Sequence, residues 1–405
     1  MILTQTIKNK LEFQTGDFDL ESIHRLAPLQ AFEPMTLSFF DEVSKRILSS
    51  SDARAFPDLA SFAFGCRIRN LEKIKKESNT GSGFFSGRGI SLHFTPSNVP
   101  LNFAYSLFSA LLAGNICLIR MSSKDFPQAN VLNRTFCELL AEERFERLRA
   151  RIAIFKYAHD EEVTRYLTDL CDIRVIWGSD ETIHELRRFP LPAKAYDIVF
   201  SDRHSICVIG ADNYLKNSNA NAVALRFYND TLFFDQNACT SPRLLYWVGE
   251  KTTVRQAQER FWGAFEQISQ EKGYSNQNNM IVDKVVAACS AAIELEECVV
   301  KHHEHIACRI SVEQLPIDIE RHSASGGFFI EYSAEVLDAL PSLCRRKLQT
   351  ITYEGLDTTD LLAVLNQGAV LGVDRIVPIG KGADFTLIWD GYDLIRQMAK
   401  SMSVI

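Results

Sequence analysis

The sequence predicts an α/β fold, in which a mostly parallel sheet carries helices on both faces. Between residues 90 and 210, short apolar runs of strand length alternate with longer runs whose apolar residues recur every three or four positions. Such alternation is typical of parallel strands joined by crossover helices. With 405 residues and 46% hydrophobic residues, the chain is long enough for two or three packed units.

The individual elements follow from the same patterns, in chain order. Residues 1–78 are predicted to form a mostly helical leader, with helices over 33–50 and 56–76, and the Gly- and Ser-rich stretch 79–89 is predicted to be a loop. Strands are then predicted at 90–94, 116–120, 151–155, 173–177 and 205–209, and helices at 101–113, 127–141, 161–170, 180–188 and 219–230. Later strands are expected at 244–248, 327–331 and 349–352, and later helices at 253–271 and 358–365. These last elements predict a second α/β unit.

Charge and composition exclude several classes of function. The net charge of −7 and a pI near 5.8 give no electrostatic reason to bind nucleic acid. No apolar run approaches the roughly 20 residues that span a bilayer, and residues 1–10 lack the apolar segment of a signal peptide. We therefore expect a cytoplasmic protein without a membrane span.

The cysteines and histidines predict no metal site. The ten cysteines show no CxxC pairing, so neither a zinc site nor a disulfide framework is indicated. Several lie in apolar runs and are expected to be buried as small hydrophobic residues, namely Cys117, Cys137, Cys207 and Cys289. The tract His302-His303-Glu304-His305 lies in a charged region and is expected to be solvated surface.

Cys239 is the leading candidate for a nucleophile. It lies in the segment Asp235-Gln236-Asn237-Ala238-Cys239-Thr240-Ser241-Pro242-Arg243. This polar, turn-forming context offers a structural cysteine little to pack against, whereas a thiolate that accepts an acyl group needs accessibility and a nearby cation.

Asn98 is the second candidate, in the segment His93-Phe94-Thr95-Pro96-Ser97-Asn98-Val99-Pro100-Leu101. A side-chain amide held on a Pro-flanked loop after a strand is suited to stabilise an oxyanion. Alternatively, Asn98 caps a helix that begins at Pro100 or Leu101. The two roles are compatible.

Both segments resemble the aldehyde dehydrogenase superfamily and, within it, the fatty acyl-CoA reductases of the bacterial bioluminescence type. The motif Gln-x-x-Cys-x-x-x-Arg resembles the superfamily's nucleophile motif, with Cys239 at the cysteine. The runs Gly372-Val373-Asp374-Arg375-Ile376-Val377-Pro378-Ile379-Gly380 and Trp389-Asp390-Gly391-Tyr392-Asp393 look like signatures of that branch. The resemblance covers roughly residues 80 to 400.

The resemblance implies an aldehyde dehydrogenase-like α/β fold and a division of the chain. The leader 1–78 would precede a Rossmann-type NADP-binding domain at 79–232 and a catalytic domain with Cys239 at 233–372. Residues 373–405 would return to the cofactor domain or form an oligomer interface. The family also implies that the amide of Asn98, with the backbone N–H of Cys239, forms the oxyanion hole.

The resemblance also identifies cofactor-binding residues. Arg120 matches the lysine, and Ser123 the glutamate, of the superfamily's Lys-Pro-Ser-Glu segment, and Ser122 and Lys124 complete this stretch. A serine beside a lysine accepts the 2′-phosphate that a glutamate would repel, so NADPH is the expected cofactor. The turn Trp177-Gly178-Ser179 resembles the superfamily's Phe-Thr-Gly-Ser, which implies that Gly178 and Ser179 contact the cofactor; as a local alternative, Ser179 or Asp180 is an N-cap.

One departure from the family pattern bears on the reaction. Where hydrolytic members carry a general-base glutamate, this chain has Phe200-Ser201-Asp202-Arg203-His204-Ser205. Without a base to activate water, a thioester on Cys239 persists for reduction, although Asp202 or His204 is a possible substitute. No match was found for the glutamate that binds the nicotinamide ribose.

The expected activity is therefore the NADPH-dependent reduction of a fatty acyl-CoA, or an acyl carrier thioester, to an aldehyde. Such families receive acyl groups from a partner synthetase, so that partner and a homo-oligomer are expected. Two alternatives stay open: an acylating semialdehyde dehydrogenase for short acyl groups, and a scaffold that carries an acyl group on Cys239 without reducing it.

Overall fold

The chain forms two compact units. The structure is a computed structural model, and it describes residues 2–16, 23–78, 84–303, 306–316 and 318–403. One unit consists of Met1–Ser201 with Phe385–Ile405, and the other of Asp202–Asp384. The predicted leader 1–78 is thus part of the first unit, and the boundary lies earlier than the predicted one at 232/233. The difference arises because the strand predicted at 205–209 joins the second sheet, and a buried parallel strand has the same apolar pattern in either sheet.

The first unit alternates helices and strands. Its helices are α1 (Ile2–Asn9), α2 (Pro34–Ser49), α3 (Asp52–Ala55), α4 (Pro57–Gly65), α5 (Ile68–Glu77), α6 (Asn102–Leu112), α7 (Pro127–Leu140), α8 (Glu146–Arg149), α9 (Glu161–Leu170) and α10 (Asp180–Arg187). Its strands are β1 (Glu12–Thr15), β2 (Phe84–Gly87), β3 (Ile90–Phe94), β4 (Ile116–Arg120), β5 (Ile152–Lys156), β6 (Ile173–Trp177) and β7 (Tyr196–Phe200).

The sheet of the first unit has the strand order of a Rossmann-type fold. Its six strands lie in the order β1-β5-β4-β3-β6-β7, with β1 antiparallel to β5 and the others parallel. The chain builds outward from β3 on one side and then continues on the other side of β3. The carboxyl ends of β4, β3 and β6 therefore lie side by side at the edge where this topology binds dinucleotides.

The central strands of this sheet are buried on both faces, which explains their continuous apolar runs. One face of the sheet packs against a large cluster of buried hydrophobic side chains, to which α2, α6 and α7 contribute. The other face packs against a smaller hydrophobic cluster that includes residues of α1 and α9. Within the larger cluster, the ring centroid of Phe39 lies 5.9 Å from that of Phe136 and 5.5 Å from that of Phe145. The helices of the leader are amphipathic, and their apolar faces cover this face of the sheet.

The second unit is also built on a mixed sheet. Its helices are α11 (Ala211–Asn217), α12 (Ala220–Asp230), α13 (Lys251–Glu271), α14 (Asn278–Glu294), α15 (Leu340–Leu343) and α16 (Thr358–Gln367). Its strands are β8 (His204–Gly210), β9 (Pro242–Val248), β10 (Val299–His303), β11 (Ala307–Val312), β12 (Phe328–Ala334), β13 (Leu348–Glu354) and β14 (Arg375–Pro378). The seven strands lie in the order β10-β11-β12-β9-β8-β13-β14, and β10 alone pairs antiparallel in this described sheet.

The last residues return to the first unit. They form β15 (Ile388–Trp389), β16 (Tyr392–Asp393), α17 (Leu394–Met398) and β17 (Ala399–Met402), and β17 pairs with β2. Asp390 and Gly391 have φ of +49° and +74° and make the two-residue turn between β15 and β16. The carboxylate of Asp393 then caps α17 by accepting a hydrogen bond from the backbone N–H of Arg396. The Trp-Asp-Gly-Tyr-Asp signature is thus explained by local backbone structure.

Several sequence-based boundaries are confirmed and others are corrected. The strands predicted at 90–94, 116–120 and 173–177 are confirmed residue for residue. The helix predicted over 56–76 is two helices, α4 and α5, because the chain turns at Cys66 and Arg67. Helix α14 and strands β1, β2, β7, β10, β11 and β14 were not predicted, and β2 (Phe84–Gly87) shows that the loop prediction for 79–89 was wrong at those residues. Among the described residues, no helix is both long enough and apolar enough to cross a bilayer.

Candidate active site

Cys239 lies in a tight segment that precedes β9. Asp235 and Gln236 have φ of +51° and +59°, so two consecutive residues adopt the left-handed conformation that costs a side-chain-bearing residue about 1 kcal/mol or more. A turn closed by a hydrogen bond from the N–H of Ser241 to the carbonyl of Ala238 then contains the cysteine. Its residue is half-buried. Strain of this kind is typical of functional sites, and here the surrounding contacts stabilise it.

The side chain of Gln236 holds this segment against β12. Its amide nitrogen donates to the carbonyls of Pro242 and Phe328, both at 2.9 Å. Its amide oxygen accepts from the N–H groups of Gly327 and Phe328, at 3.0 and 2.9 Å. Gln236 is completely buried, and all of the amide's hydrogen-bonding capacity is used. The glutamine of the Gln-x-x-Cys motif is therefore a structural clamp.

Two polar side chains act on the sulfur of Cys239. The amide nitrogen of Gln349, at the start of β13, donates to Cys239 Sγ at 3.4 Å. Burial lowers the pKa of the Arg243 guanidinium, and the charge of a Cys239 thiolate opposes that shift. The same attraction stabilises a negative charge on Cys239 Sγ, and it therefore favours the thiolate over the thiol. Ser205 also supports the segment, because its hydroxyl donates to the carbonyl of Cys239 at 2.8 Å.

The other cysteines have different surroundings. Burial raises the pKa of Cys117, Cys171 and Cys344 to about 12 and that of Cys308 to about 11, so these thiols stay protonated. Cys207 is buried as expected, whereas Cys137 and Cys289 are exposed, so the expectation of burial was wrong for those two. They lie on the outer faces of α7 and α14, where an apolar run does not imply burial.

Asn98 lies in the first unit, on the exposed loop between β3 and α6. Helix α6 begins at Asn102 with Leu101 at its N-cap and no side-chain cap, so the capping alternative for Asn98 was wrong. Its amide makes no hydrogen bond to another described residue. The loop is fixed before Asn98, because Thr95 donates from both its N–H and its hydroxyl to the carbonyl of Arg120 at 3.2 and 3.1 Å.

The predicted cofactor residues come together at the carboxyl edge of the first sheet. Arg120 ends β4, and Ser122, Ser123 and Lys124 lie in the loop that follows. The Arg120 guanidinium lies 5.6 Å from the centroid of the Tyr157 ring, and the Lys124 ammonium lies 5.0 Å from that of Phe126. The nearest acidic residue in sequence, Asp125, is ion-paired with Lys156. The loop is thus basic, and the carboxylate of Asp125 is neutralised by Lys156.

Gly178 and Ser179 lie across from this loop, at the end of β6. Ser179 is the N-cap of α10, since its hydroxyl accepts from the N–H of Thr182 at 3.2 Å, as the local alternative proposed. A Cβ on Gly178 would lie 3.0 Å from Thr182 Cγ2, so the turn has little room for a larger residue. The Trp177 ring stacks on that of Phe200 with centroids 3.6 Å apart, which fixes the turn.

His93, on β3, and the 200–205 stretch contain further titratable side chains. His93 is buried beneath the Asn98 loop and bonded to Ser106 at 2.6 Å, and burial lowers its pKa to about 3. It is a neutral core residue. In the 200–205 stretch, Asp202 is exposed, while His204 is buried and its pKa is lowered by that burial. Arg203 pairs with Asp374, which accounts for the aspartate of the 372–380 signature.

No metal centre is apparent in the described part of the chain. Among residues 2–16, 23–78, 84–303, 306–316 and 318–403, no group of three His, Cys, Asp or Glu residues is arranged to hold an ion. Glu304 and His305 of the histidine tract lie outside the described residues.

Comparison with known proteins identifies the family. The model of the acyl-CoA reductase (LuxC) family matches residues 12–401. The chain belongs to this family. The match extends over both units and includes Asn98, Arg120–Lys124 and Cys239, so the resemblance inferred from short motifs is confirmed.

Curated relatives match the LuxC-family chain over a shorter stretch. The long-chain acyl-protein thioester reductase of Aliivibrio fischeri is 30% identical over 166 residues, which are 40% of this chain and 33% of that protein. Long-chain acyl-protein thioester reductase 2 of Photobacterium leiognathi is 28% identical over 169 residues, or 41% and 34%. The chain thus spans about a third of the length of these relatives.

Solved structures confirm the predicted fold class. The match to lactaldehyde dehydrogenase from Escherichia coli has a TM-score of 0.65 at 13% identity, and it covers 93% of this chain and 87% of that chain. An indole-3-acetaldehyde dehydrogenase of P. syringae, in complex with NAD+, has a TM-score of 0.65 at 12% identity and covers 99% and 87%. The LuxC-family chain therefore has an aldehyde dehydrogenase-like α/β fold.

Gln349 is the site residue that sequence reasoning missed. It was seen only as the start of a strand, because no motif surrounds it and it is far from Cys239 in sequence. A glutamine at the beginning of an otherwise apolar and Thr-rich strand was the available signal, since a buried amide requires hydrogen-bond partners.

Proposed function

We propose that the chain reduces a long-chain fatty acyl thioester to the aldehyde, with NADPH as reductant and Cys239 as nucleophile. The observation that carries the proposal is the setting of Cys239: a half-buried thiol on a strained segment, beside a guanidinium and an amide donor. Membership of the acyl-CoA reductase family supports the acyl substrate. The relatives named long-chain acyl-protein thioester reductases support a long chain and a thioester donor.

Acylation is the first step. The Cys239 thiolate attacks the carbonyl carbon of the donor, a bond forms from Sγ to that carbon, and the donor's carbon–sulfur bond breaks. The donor leaves as a thiolate that takes a proton from solvent. Arg243 and Gln349 keep the attacking sulfur anionic before the attack, and Gln236 holds the segment in place. The amide of Asn98 is proposed to donate to the oxyanion, a contribution of about 3 kcal/mol in related chemistry.

Reduction completes the reaction. When bound, NADPH supplies a hydride to the carbonyl of the enzyme thioester. The bond to Sγ then breaks, so the products are the aldehyde, the oxidised cofactor and the restored Cys239 thiolate. The stretch from Phe200 to Ser205 offers no glutamate as a general base for hydrolysis, and burial lowers the pKa of His204, which makes its imidazole a weaker base.

The residues at the edge of the first sheet fit NADPH. Arg120 and Lys124 would hold the 2′-phosphate, with the hydroxyls of Ser122 and Ser123 as further donors. Gly178 would allow the pyrophosphate to approach the amino end of α10, an end suited to anions. The order of the strands supports this location, because dinucleotides bind where the strand order reverses.

The proposal is tested by intact mass after incubation with palmitoyl-CoA. We expect the protein to gain one palmitoyl group and to lose it when NADPH is added, with hexadecanal released. Cys239→Ala should abolish both changes. Cys298→Ala is the matched control, because Cys298 is also half-buried but belongs to the far edge of the second unit. A palmitoyl group that survives NADPH would instead support the non-reducing scaffold.

Cofactor and chain-length preference need separate measurements. Ser123→Glu should weaken NADPH binding, measured by fluorescence titration, and leave NADH binding unchanged or stronger, because a carboxylate repels the 2′-phosphate. Ser49→Glu, an exposed serine at the end of α2, is the control. Reduction rates with acyl-CoAs of graded length test the substrate: a flat profile, or activity only with short acyl phosphates, would support a semialdehyde dehydrogenase.

A further inference from the structure

The second unit contains a cavity apart from the Cys239 segment. Its volume is about 430 Å³, and it lies at the amino-terminal ends of β8 and β13. Three consecutive basic residues before β13, Arg345, Arg346 and Lys347, line it together with His204, the first residue of β8. Apolar side chains, including Leu343, form a further part of its wall. The proposed acylation and reduction steps involve none of these residues.

The charges of the cavity leave two guanidinium groups available. Asp318 and Glu320 also line it, so three cations face two carboxylates. Glu320 is engaged, with its carboxylate oxygens 3.9 Å from the Lys347 ammonium and 3.5 Å from His204 Nδ1. Among the described residues, neither Arg345 nor Arg346 forms an ion pair. A planar guanidinium can donate two parallel hydrogen bonds to one phosphate, which makes arginine the preferred residue for binding that group.

His204 provides an independent indication of a ligand. His204 is only 5% exposed, and neither ring nitrogen forms a hydrogen bond among the described residues, because the 3.5 Å approach of Nδ1 to the Glu320 carboxylate does not have hydrogen-bond geometry. Buried polar groups almost always have a partner, because an unmade hydrogen bond in the interior costs about 1–3 kcal/mol. Since His204 lines the cavity, an acceptor bound there would receive the hydrogen bond that its imidazole does not make within the described protein.

The cavity is close in the fold to the nucleophile. The N–H of His204 donates to the carbonyl of Lys347 at 3.0 Å, and the next residue on that strand, Ser205, bonds the carbonyl of Cys239. On the neighbouring strand, Gln349 contacts the sulfur. Lys347 immediately precedes β13 and lies two residues before Gln349, so the Cα atoms of these two residues are at most about 7.6 Å apart. One ligand can therefore extend from the cavity to the sulfur.

We propose that this cavity binds the phosphate of a phosphopantetheine thioester, the arm that coenzyme A and acyl carrier proteins have in common. The proposal deepens the proposed function, on which it rests: the phosphate would be bound by Arg345 and Arg346, with His204 as a further donor, while the pantetheine arm reaches from Lys347 towards Gln349 and presents the thioester to Cys239. The subsite selects donors by their phosphate, whereas the acyl chain lies on the far side of the thioester.

The test compares donors that differ only in phosphate. The rate of Cys239 acylation is followed by intact mass with palmitoyl phosphopantetheine and with palmitoyl pantetheine. We expect the phosphorylated donor to have the lower apparent KM by about tenfold or more, because a charge-assisted hydrogen bond is worth that much. The double variant Arg345→Gln, Arg346→Gln should remove this difference and leave the pantetheine donor unaffected. Arg255→Gln, on the exposed face of α13, is the matched control.

Two further arms separate the possible outcomes. If the double arginine variant raises the KM for palmitoyl-CoA and for a palmitoyl carrier protein equally, both donors use the subsite. If it raises the KM for only one of them, that donor is the source of the phosphate. Binding of free CoA to Cys239→Ala, measured by calorimetry with and without the arginine substitutions, does not depend on acyl transfer. If no donor acylates Cys239, the proposed function fails while this binding still tests the subsite. Unchanged KM values and unchanged CoA binding in the double variant, or a loss confined to NADPH binding, would overturn the proposal.

Discussion

Replacing Gln236 is the sharpest test of how the nucleophile segment is held. Gln236→Ala removes four hydrogen bonds. The N–H groups of Gly327 and Phe328 lose their acceptor, and the carbonyls of Pro242 and Phe328 lose their donor. At about 1 kcal/mol for each net hydrogen bond, the loss of stability is about 4 kcal/mol. The left-handed backbone at this position is not relieved by alanine, so no gain offsets the loss.

The isosteric variant Gln236→Glu separates hydrogen bonding from packing. It keeps the shape of the side chain and the oxygen that accepts from Gly327 and Phe328, but it places a second oxygen against two carbonyls. We expect it to be destabilising by about 2 kcal/mol or more, because two donated bonds are lost and a charge is buried. Its effect should decrease as the pH falls, because burial raises the pKa of a carboxyl group and the protonated form can donate.

Urea unfolding followed by tryptophan fluorescence measures both variants, because Trp247 and Trp262 are buried in the same unit. Gln256→Ala, at an exposed position on α13, is the control and should change the unfolding free energy by less than about 0.5 kcal/mol. The rate of Cys239 acylation should also be lower in both Gln236 variants, because a less stable segment holds the sulfur less firmly in position. If Gln236→Ala shifts the unfolding midpoint no more than the control does, the clamp does not hold the segment and the reasoning is refuted.

Three further predictions follow from single contacts. Gln349→Leu should raise the pKa of the Cys239 thiol, because the amide no longer donates to the sulfur; the pH dependence of alkylation measures it, and an unchanged profile would count against the contact. His93 is neutral in the folded protein with a pKa of about 3 against 6.5 ordinarily, so its contribution to stability is complete above pH 6.5 and declines by about 1.4 kcal/mol per pH unit as pH falls towards 3. His93→Gln should flatten this dependence in acid unfolding, and equal slopes would contradict it. Glu331→Gln removes the Glu331 carboxylate from the buried Arg309 guanidinium and should cost about 3 kcal/mol in urea unfolding, whereas an unchanged midpoint would show that the pair contributes little.

The local parts of the site were predictable because their signals are local. A thiol among turn-forming polar residues indicated Cys239, and the structure places it on a strained, half-buried segment as that context suggests. The motif glutamine and arginine were recognised only by resemblance, and their physical roles emerged from contacts with β12 and with the sulfur. The capping role considered for Asn98 was wrong, since α6 begins four residues later and the distance from a proline does not specify where a helix starts.

Other features depended on which strands are neighbours. Gln349 and Ser205 are both far from Cys239 in sequence, and they contact it because β8 lies between β9 and β13. The observed boundary between the units differs from the predicted one for the same reason, because the strand that begins at His204 pairs with those two strands. A hydrophobic run carries no information about its partner strand, because any central parallel strand is buried on both faces.

By itself, the sequence determined that the chain is an α/β protein of parallel strands, that Cys239 is the thiol in a polar, turn-forming segment, and that the loop after β4 is basic. Each of these depends on residue types and spacings within a few positions, and short-range sterics and solvation act at that range. Only the tertiary structure decided the order of strands, and with it the approach of Gln349 to the sulfur and of His204 to Arg345 and Arg346. Gln349 and Cys239 are 110 positions apart, and which of many similar apolar strands pair is decided by the packing of the whole core.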